Sequence, residues 1–236
     1  MMYPYAEFLL AFDQKHGGLI HRNRPENDRA AIIVETRPLY FLPKVIRNHV
    51  HFLGPQWNLY VLAGERSFDY LARSLAGWSV RLAKLPGVYH LPQADYNDLL
   101  TNEGFWSGLT ERHVLVFQTD TLLTGASIEP YLAYDYVGAP CQAMDEGYVA
   151  NGGLSLRRRE LMLDCLAHVP RLANEAEDVY FTRAVRALGG AMPDFAGATR
   201  FAVESVYTGQ PVGVHGTDKC FHGTDVAAHI VAQIRY

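Results

Sequence analysis

Ala30-Ala31-Ile32-Ile33-Val34-Glu35 is an unbroken apolar run closed by a carboxylate, the pattern of a strand covered on both faces. Thr36-Arg37-Pro38 follows, then a helical pattern from about Pro43 with Val45, Ile46, His49, Val50 and Leu53 on one face. Further out, Trp57 to Leu62 reads as a second strand, Glu65 to Leu75 as a helix and Trp78 to Leu82 as a third strand. Asp95 to Leu109 is a helical stretch, and His113-Val114-Leu115-Val116-Phe117-Gln118 is a fourth, strongly apolar strand. Strands alternating with helices at this spacing predict βαβ units, an α/β fold and a mostly parallel sheet flanked by helices.

Past Asp120 the alternation loosens. Turn-rich pieces surround Gly138-Ala139-Pro140 and Asn151-Gly152-Gly153, helices read from Arg158 to His168 and from Glu177 to Leu188, and the tail from Met192 reads as irregular. No repeat, low-complexity tract or linker interrupts the chain. The expectation is one domain: an N-terminal helix and loop over 1–29, an ordered half over 30–120 and a more variable half over 121–236.

The 236 residues carry 49% hydrophobic and 19% charged side chains, enough to bury a core without metal or disulfide. A formal charge of -4 argues against a protein that gains its affinity by neutralising nucleic-acid phosphates. Cys141, Cys165 and Cys220 form no close pair, which suits a reducing compartment. Phe8 to Phe12 is apolar but flanked by Glu7 and Asp13, so it reads as a short amphipathic helix and not a signal peptide. No run approaches the roughly 20 apolar residues of a membrane span. The expected setting is cytoplasmic or peripheral at the membrane surface, and a membrane-bound acceptor reached from the surface stays open.

Four places carry residues suited to chemistry. Phe117-Gln118-Thr119-Asp120 puts a carboxylate where the fourth strand ends, and open parallel sheets bind ligands outside their carboxyl ends. An aspartate capping a turn explains the same position without any ligand. Asn151-Gly152-Gly153, just before Leu154-Ser155-Leu156, allows close backbone approach, or forms a plain turn before a buried strand. Glu177 and Asp178 open a helix, where the dipole alone favours acids; as a general base only one of the two would face a site. His215, in Gly213-Val214-His215-Gly216, is a structural histidine or a neutral imidazole completing a divalent-metal shell. Glu35 and Arg37 also sit at a carboxyl end, either holding a nucleotide or solvating the turn.

The chain lacks G-x-G-x-x-G after the first strand, a Walker A loop, H-E-x-x-H and G-x-S-x-G, and no Cys/His spacing suggests zinc. The ordered series AAIIVETRP, FQTDTLL, YDYVGAP, NGGLSLRRRELM, EDVYF and PVGVHG, spanning roughly 30 to 216, resembles a largely uncharacterised family related to GT-A glycosyltransferases. The resemblance implies a GT-A-like domain with a nucleotide-sugar donor. Gln118-Thr119-Asp120 is similar to the D-x-D motif, so Asp120 would bind Mn2+ or Mg2+ on the donor diphosphate. Asn151, Gly152 and Gly153 would form the glycine loop beside the donor sugar, Asp178 the base of an x-E-D motif, and His215 the C-terminal metal or phosphate ligand. Glu35 and Arg37 would lie by the nucleotide. Gln118 departs from the D-x-D pattern and removes one formal charge from the metal site.

The resemblance thus implies direct, inverting, metal-assisted transfer from a UDP-, GDP- or dTDP-sugar to a glycan, lipid-linked or small-molecule acceptor, with no nucleic acid involved. Another nucleotide-sugar enzyme, such as a nucleotidyltransferase, and a silent nucleotide- or glycan-binding module are the alternatives.

Overall fold

The computed structural model describes residues 5–16, 27–141, 149–207, 209–216, 230 and 232. Residues 17–26 of the N-terminal segment expected as helix and loop, and Cys220, lie outside these residues.

Helix α1 (Ala6–His16) leads to β1 (Arg29–Glu35), α2 (Leu42–Leu53), β2 (Asn58–Ala63), α3 (Phe68–Ser74) and β3 (Val80–Lys84). Then come α4 (Gln93–Leu100), α5 (Glu103–Ser107), β4 (His113–Phe117), β5 (Thr121–Leu123), β6 (Tyr136–Cys141) and β7 (Val149–Arg158). The remainder holds α6 (Arg159–His168), α7 (Glu177–Ala187), α8 (Phe195–Phe201), β8 (Ala202–Val203) and β9 (Gly213–His215). The main sheet runs β3-β2-β1-β4-β7-β6, and a small second sheet runs β5-β9-β8. Strands β1 to β4 are parallel, while β7 joins β4, and β6 joins β7, antiparallel.

The apolar run at 30–35 is explained by two cores, one on each face. Ala31 and Ile33 face α1, α2, α3 and the small sheet; Ala30 and Ile32 face α4, α5, α6 and α7. In β4, Leu115 and Phe117 join the first core, Val114 and Val116 the second. Burying each of the larger side chains among these (Ile, Leu, Val and Phe) contributes roughly 1.5–3 kcal/mol, so strands apolar on both faces anchor the sheet.

Three sequence expectations are corrected. The helix expected over 95–109 is two helices, broken at Thr101-Asn102, where the Asn102 side chain accepts the Gly104 N–H at 2.8 Å and caps α5. Over residues 193–207 and 209–216 the part expected to be irregular carries regular elements: Asp194 caps α8 through the Gly197 N–H at 2.7 Å, and β8 and β9 follow; the rest of the tail lies outside the described residues except 230 and 232. Short, buried strands of two and three residues are too brief to leave a period in the sequence. Gly152 and Gly153 lie inside the ten-residue β7 and do not form a turn before it.

Candidate functional site

Strand β4 delivers the chain to the carboxyl edge of the sheet at Phe117, which stacks on the buried His49 of α2 at 3.9 Å. Gln118, Thr119 and Asp120 then turn, all half-buried. The turn is pinned by two bonds: Gln118 N–H donates to the Gly153 carbonyl at 2.9 Å, and the Thr121 hydroxyl donates to the Gln118 carbonyl at 2.7 Å. Strand β5 follows, and Asn48 of α2 clips it in place by accepting the Leu123 N–H at 2.8 Å and donating to its carbonyl at 3.2 Å.

The small sheet brings the far end of the chain back to this turn. Thr121 pairs with His215 across β5 and β9, and the Gly216 N–H donates to the Asp120 carbonyl at 3.1 Å. That register sets Asp120 Oδ1 3.5 Å from His215 Nε2. On the other side, Glu35 ends β1 and grips Arg37: its Oε1 accepts from the Arg37 backbone N–H at 2.7 Å and Nε at 3.0 Å, its Oε2 from Nη2 at 2.7 Å. Glu35 is therefore spent on Arg37. The Arg37 guanidinium, half-exposed, is held firmly protonated by this hydrogen bonding with Glu35 and by the negative charge of Asp120.

The glycines occupy a break in the ladder between β6 and β7. Gly138 pairs with Ser155, yet the next residue, Ala139, pairs with Asn151, so 152–154 bulge out of register with β6. The close approach requires glycines at both strands: a Cβ at Gly138 would run into the Asn151 backbone. At Gly152 it would strike the Glu177 carboxylate and lie 3.0 Å from Arg157 Nη2, and at Gly153 it would overlap the His215 ring. Asn151 Oδ1 accepts the Gly153 N–H at 2.8 Å and holds the bulge in shape.

The two acids of α7 have separate situations. Glu177 is buried, and its oxygens accept from Arg157 Nη1 at 2.6 Å and Nη2 at 3.0 Å. Arg157 is fully buried, boxed by the rings of Tyr136, Phe181 and Trp106 at 5.0, 5.4 and 5.8 Å. This arrangement sets the Glu177 carboxylate beneath Gly152 and engages it with Arg157. Asp178 lies beside the bulge instead. Its Oδ2 accepts the Gly152 N–H at 3.3 Å and its Oδ1 the Val179 N–H at 2.9 Å.

Two residues here escape sequence reasoning. Tyr96 of α4 is buried, with its hydroxyl by the Gln118 side chain. Burial, and the nearby Glu177 charge, push its pKa up. Glu204, after β8, lies 3.8 Å from His215 Nδ1 and accepts from Asn151 Nδ2 at 3.0 Å. Neither belongs to a motif, and both arrive through tertiary packing. Cys165 is a free thiol whose pKa burial pushes up to about 12, so it is no nucleophile.

Among the described residues no group of three or more His, Cys, Asp or Glu side chains is gathered as a metal shell. What is present is one carboxylate and one imidazole 3.5 Å apart, with Gly153 leaving room for the ring. Such O and N donors fit two neighbouring positions around Mn2+ or Mg2+, whose other positions phosphate oxygens and water would take.

The sheet, parallel over β1 to β4 with antiparallel β7 and β6 beyond β4, is of the GT-A type in comparison with solved structures. GlyE, a glycosyltransferase of Streptococcus pneumoniae TIGR4, superposes with a TM-score of 0.53 at 11% identity, over 86% of this chain and 60% of GlyE. TarS of S. aureus gives 0.52 at 12% identity, over 79% of this chain and 36% of TarS. The mannosyltransferase PcManGT from Pyrobaculum calidifontis, in complex with GDP-Man and Mn2+, gives 0.49 at 16% identity, over 81% of this chain and 64% of that one. The chain thus spans less than two thirds of the length of these proteins. No curated protein matches the sequence. The chain belongs to the DUF5672 family of proteins of unknown function, whose model matches residues 79–215, from just before β3 to His215. No helix among the described residues is long and apolar enough to cross a membrane.

Proposed function

We propose that this protein transfers a sugar from a nucleotide-sugar donor to an acceptor hydroxyl, with inversion and with the help of a divalent cation. The observation that carries this reading is the meeting of Asp120 and His215, 3.5 Å apart, against a glycine bulge that Asp178 flanks. Three distant parts of the sequence supply these groups, and packing alone does not call for a carboxylate, an imidazole and two Cβ-less residues together. The GT-A-type fold supports the reading at the level of architecture.

Asp120 and His215 would hold the cation. Bound there, it would offset the charge that develops on the leaving diphosphate. Arg37, oriented by Glu35, lies towards Asp120 and is suited to the nucleotide's phosphate or ribose. Gly152 and Gly153 present a wall without side chains, against which the sugar can lie close for in-line attack. Asp178, fixed by the Gly152 and Val179 N–H groups, would take the proton of the acceptor hydroxyl. The acceptor oxygen bonds to the anomeric carbon as the bond to the diphosphate breaks, and the nucleoside diphosphate departs.

The test is release of nucleoside diphosphate from a panel of UDP-, GDP- and dTDP-sugars, with Mn2+ or with EDTA, beside Asp120→Ala. Cation-dependent release from one donor, absent in the variant, is the expected result. Release of pyrophosphate from a sugar phosphate and a nucleoside triphosphate would replace this reading with nucleotidyl transfer.

A further inference from the structure

Strand β8 runs parallel to β9, with Val203 beside Val214, and this register places Glu204 next to His215. The Glu204 side chain is mostly buried, and one of its oxygens, Oε1, serves two neighbours: it accepts from Asn151 Nδ2 at 3.0 Å and faces His215 Nδ1 at 3.8 Å. On the other edge of the same ring, Nε2 faces Asp120 Oδ1 at 3.5 Å. Asn151, through its own Oδ1, holds the Gly153 N–H at 2.8 Å. Glu204, Asn151, Gly153 and His215 thus form a closed circuit, in which the ring lies on Gly153 and one edge looks out towards Asp120.

An imidazole that ligates through Nε2 must carry its proton on Nδ1, and a carboxylate facing Nδ1 selects that tautomer and makes the other nitrogen a better donor. We infer that Glu204 is a positioning residue for the cation site: it turns His215 so that Nε2 faces the cation, and through Asn151 it locks that ring to the glycine bulge. The inference rests on the reading of Asp120 and His215 as cation ligands. Glu204 stands outside every motif of the sequence, and its place is set by the β8–β9 register and by its bond to Asn151.

The experiment is a titration of the full chain with Mn2+, following the free ion's electron paramagnetic resonance, alone and with UDP or GDP present. Glu204→Ala is expected to weaken Mn2+ binding roughly ten- to a hundredfold, the usual loss when an outer-shell partner of a metal-bound histidine is removed. Glu204→Gln keeps an oxygen for Nδ1–H and should recover part of that loss, a rescue that a merely space-filling role would not show. A second measurement needs no Glu204 variant. Nitrogen-15 NMR of the wild-type protein with Mg2+ and GDP or UDP, the His215 signals assigned by their loss in His215→Gln, should show the proton on Nδ1. Wild-type Mn2+ affinity in a folded Glu204→Ala, a proton on Nε2 with Mg2+ saturating, or no Mn2+ bound by the wild type under any condition would each overturn the inference. Failure of the sugar-transfer reading looks different: Mn2+ binds and Glu204 matters, yet no donor in the panel releases nucleoside diphosphate.

Discussion

The imidazole of His215 lies directly on Gly153, so that the smallest possible side chain at residue 153 would occupy the space of the ring. Strand and histidine are therefore one unit. Gly153→Ala must push His215 away from Asp120 or distort β7, at a cost of about 1–3 kcal/mol for overpacking a tight site. The expected result is a folded protein by circular dichroism, with a modest loss of Tm and Mn2+ affinity close to that of Asp120→Ala. Retention of wild-type Mn2+ binding would contradict this contact.

The adjacent acids of α7 should fail in opposite ways. Asp178→Asn is expected to keep the fold and donor affinity while lowering kcat roughly a hundred- to ten-thousandfold, the range for losing a general base. Glu177→Gln leaves Arg157 buried without its charged partner, a loss of about 3–5 kcal/mol that would lower Tm by about 10 °C. Thermal melting and steady-state kinetics on both variants separate the roles. A Glu177→Gln protein of full stability and reduced kcat would exchange them.

Arg37 is bound on three donors by one carboxylate, so the two residues should act as a pair. Arg37→Ala is expected to weaken UDP or GDP binding by roughly ten- to a hundredfold, the scale of one charge-assisted hydrogen bond. Glu35→Ala should do similar damage, and the double variant no more than either alone. Calorimetry gives all three values; additive losses would show that Glu35 has its own contact with the ligand.

His49 provides a pH signature beneath the Asp120 turn. Its Nδ1 donates to the Val45 carbonyl at 2.9 Å, and burial pulls its pKa from 6.5 down to about 4. Between pH 6.5 and about 4 the unfolded chain binds a proton that the folded one refuses, so stability falls as the pH falls through that window. The His49 contribution across it is roughly 3 kcal/mol. His49→Phe keeps an aromatic ring against Phe117 and has nothing to titrate. Urea denaturation at pH 7 and pH 4 should therefore show a smaller drop in the variant than in the wild type; equal drops would place a charged His49 in the folded state.

Much of this was legible from the sequence, and the reasons are physical. Strands β1 and β4 announce themselves because both faces are buried, which leaves runs such as Ala30 to Glu35 with no polar interruption. Asp120 was placed at a strand end because apolar residues stop where the sheet stops. The bulge at 152–154 was invisible: a glycine pair reads as a turn, and only the register between β6 and β7 shows that it lies within a ladder. Residue types alone do not separate Glu177 from Asp178, and only the resemblance to the x-E-D motif selects Asp178; in the structure the difference comes from Arg157, fully buried, which takes the Glu177 carboxylate. Glu204 and Tyr96 were missed because tertiary contacts alone bring them to the site.

The order in which the chain supplies its parts separates architecture from activity. All six strands of the main sheet are in hand by Arg158, whereas the pairing that seats His215 beside Asp120 waits for β9. A polypeptide emerging from the ribosome thus presents every strand of its main sheet before α6 and α7, which cover one face, and before the segment that seats His215.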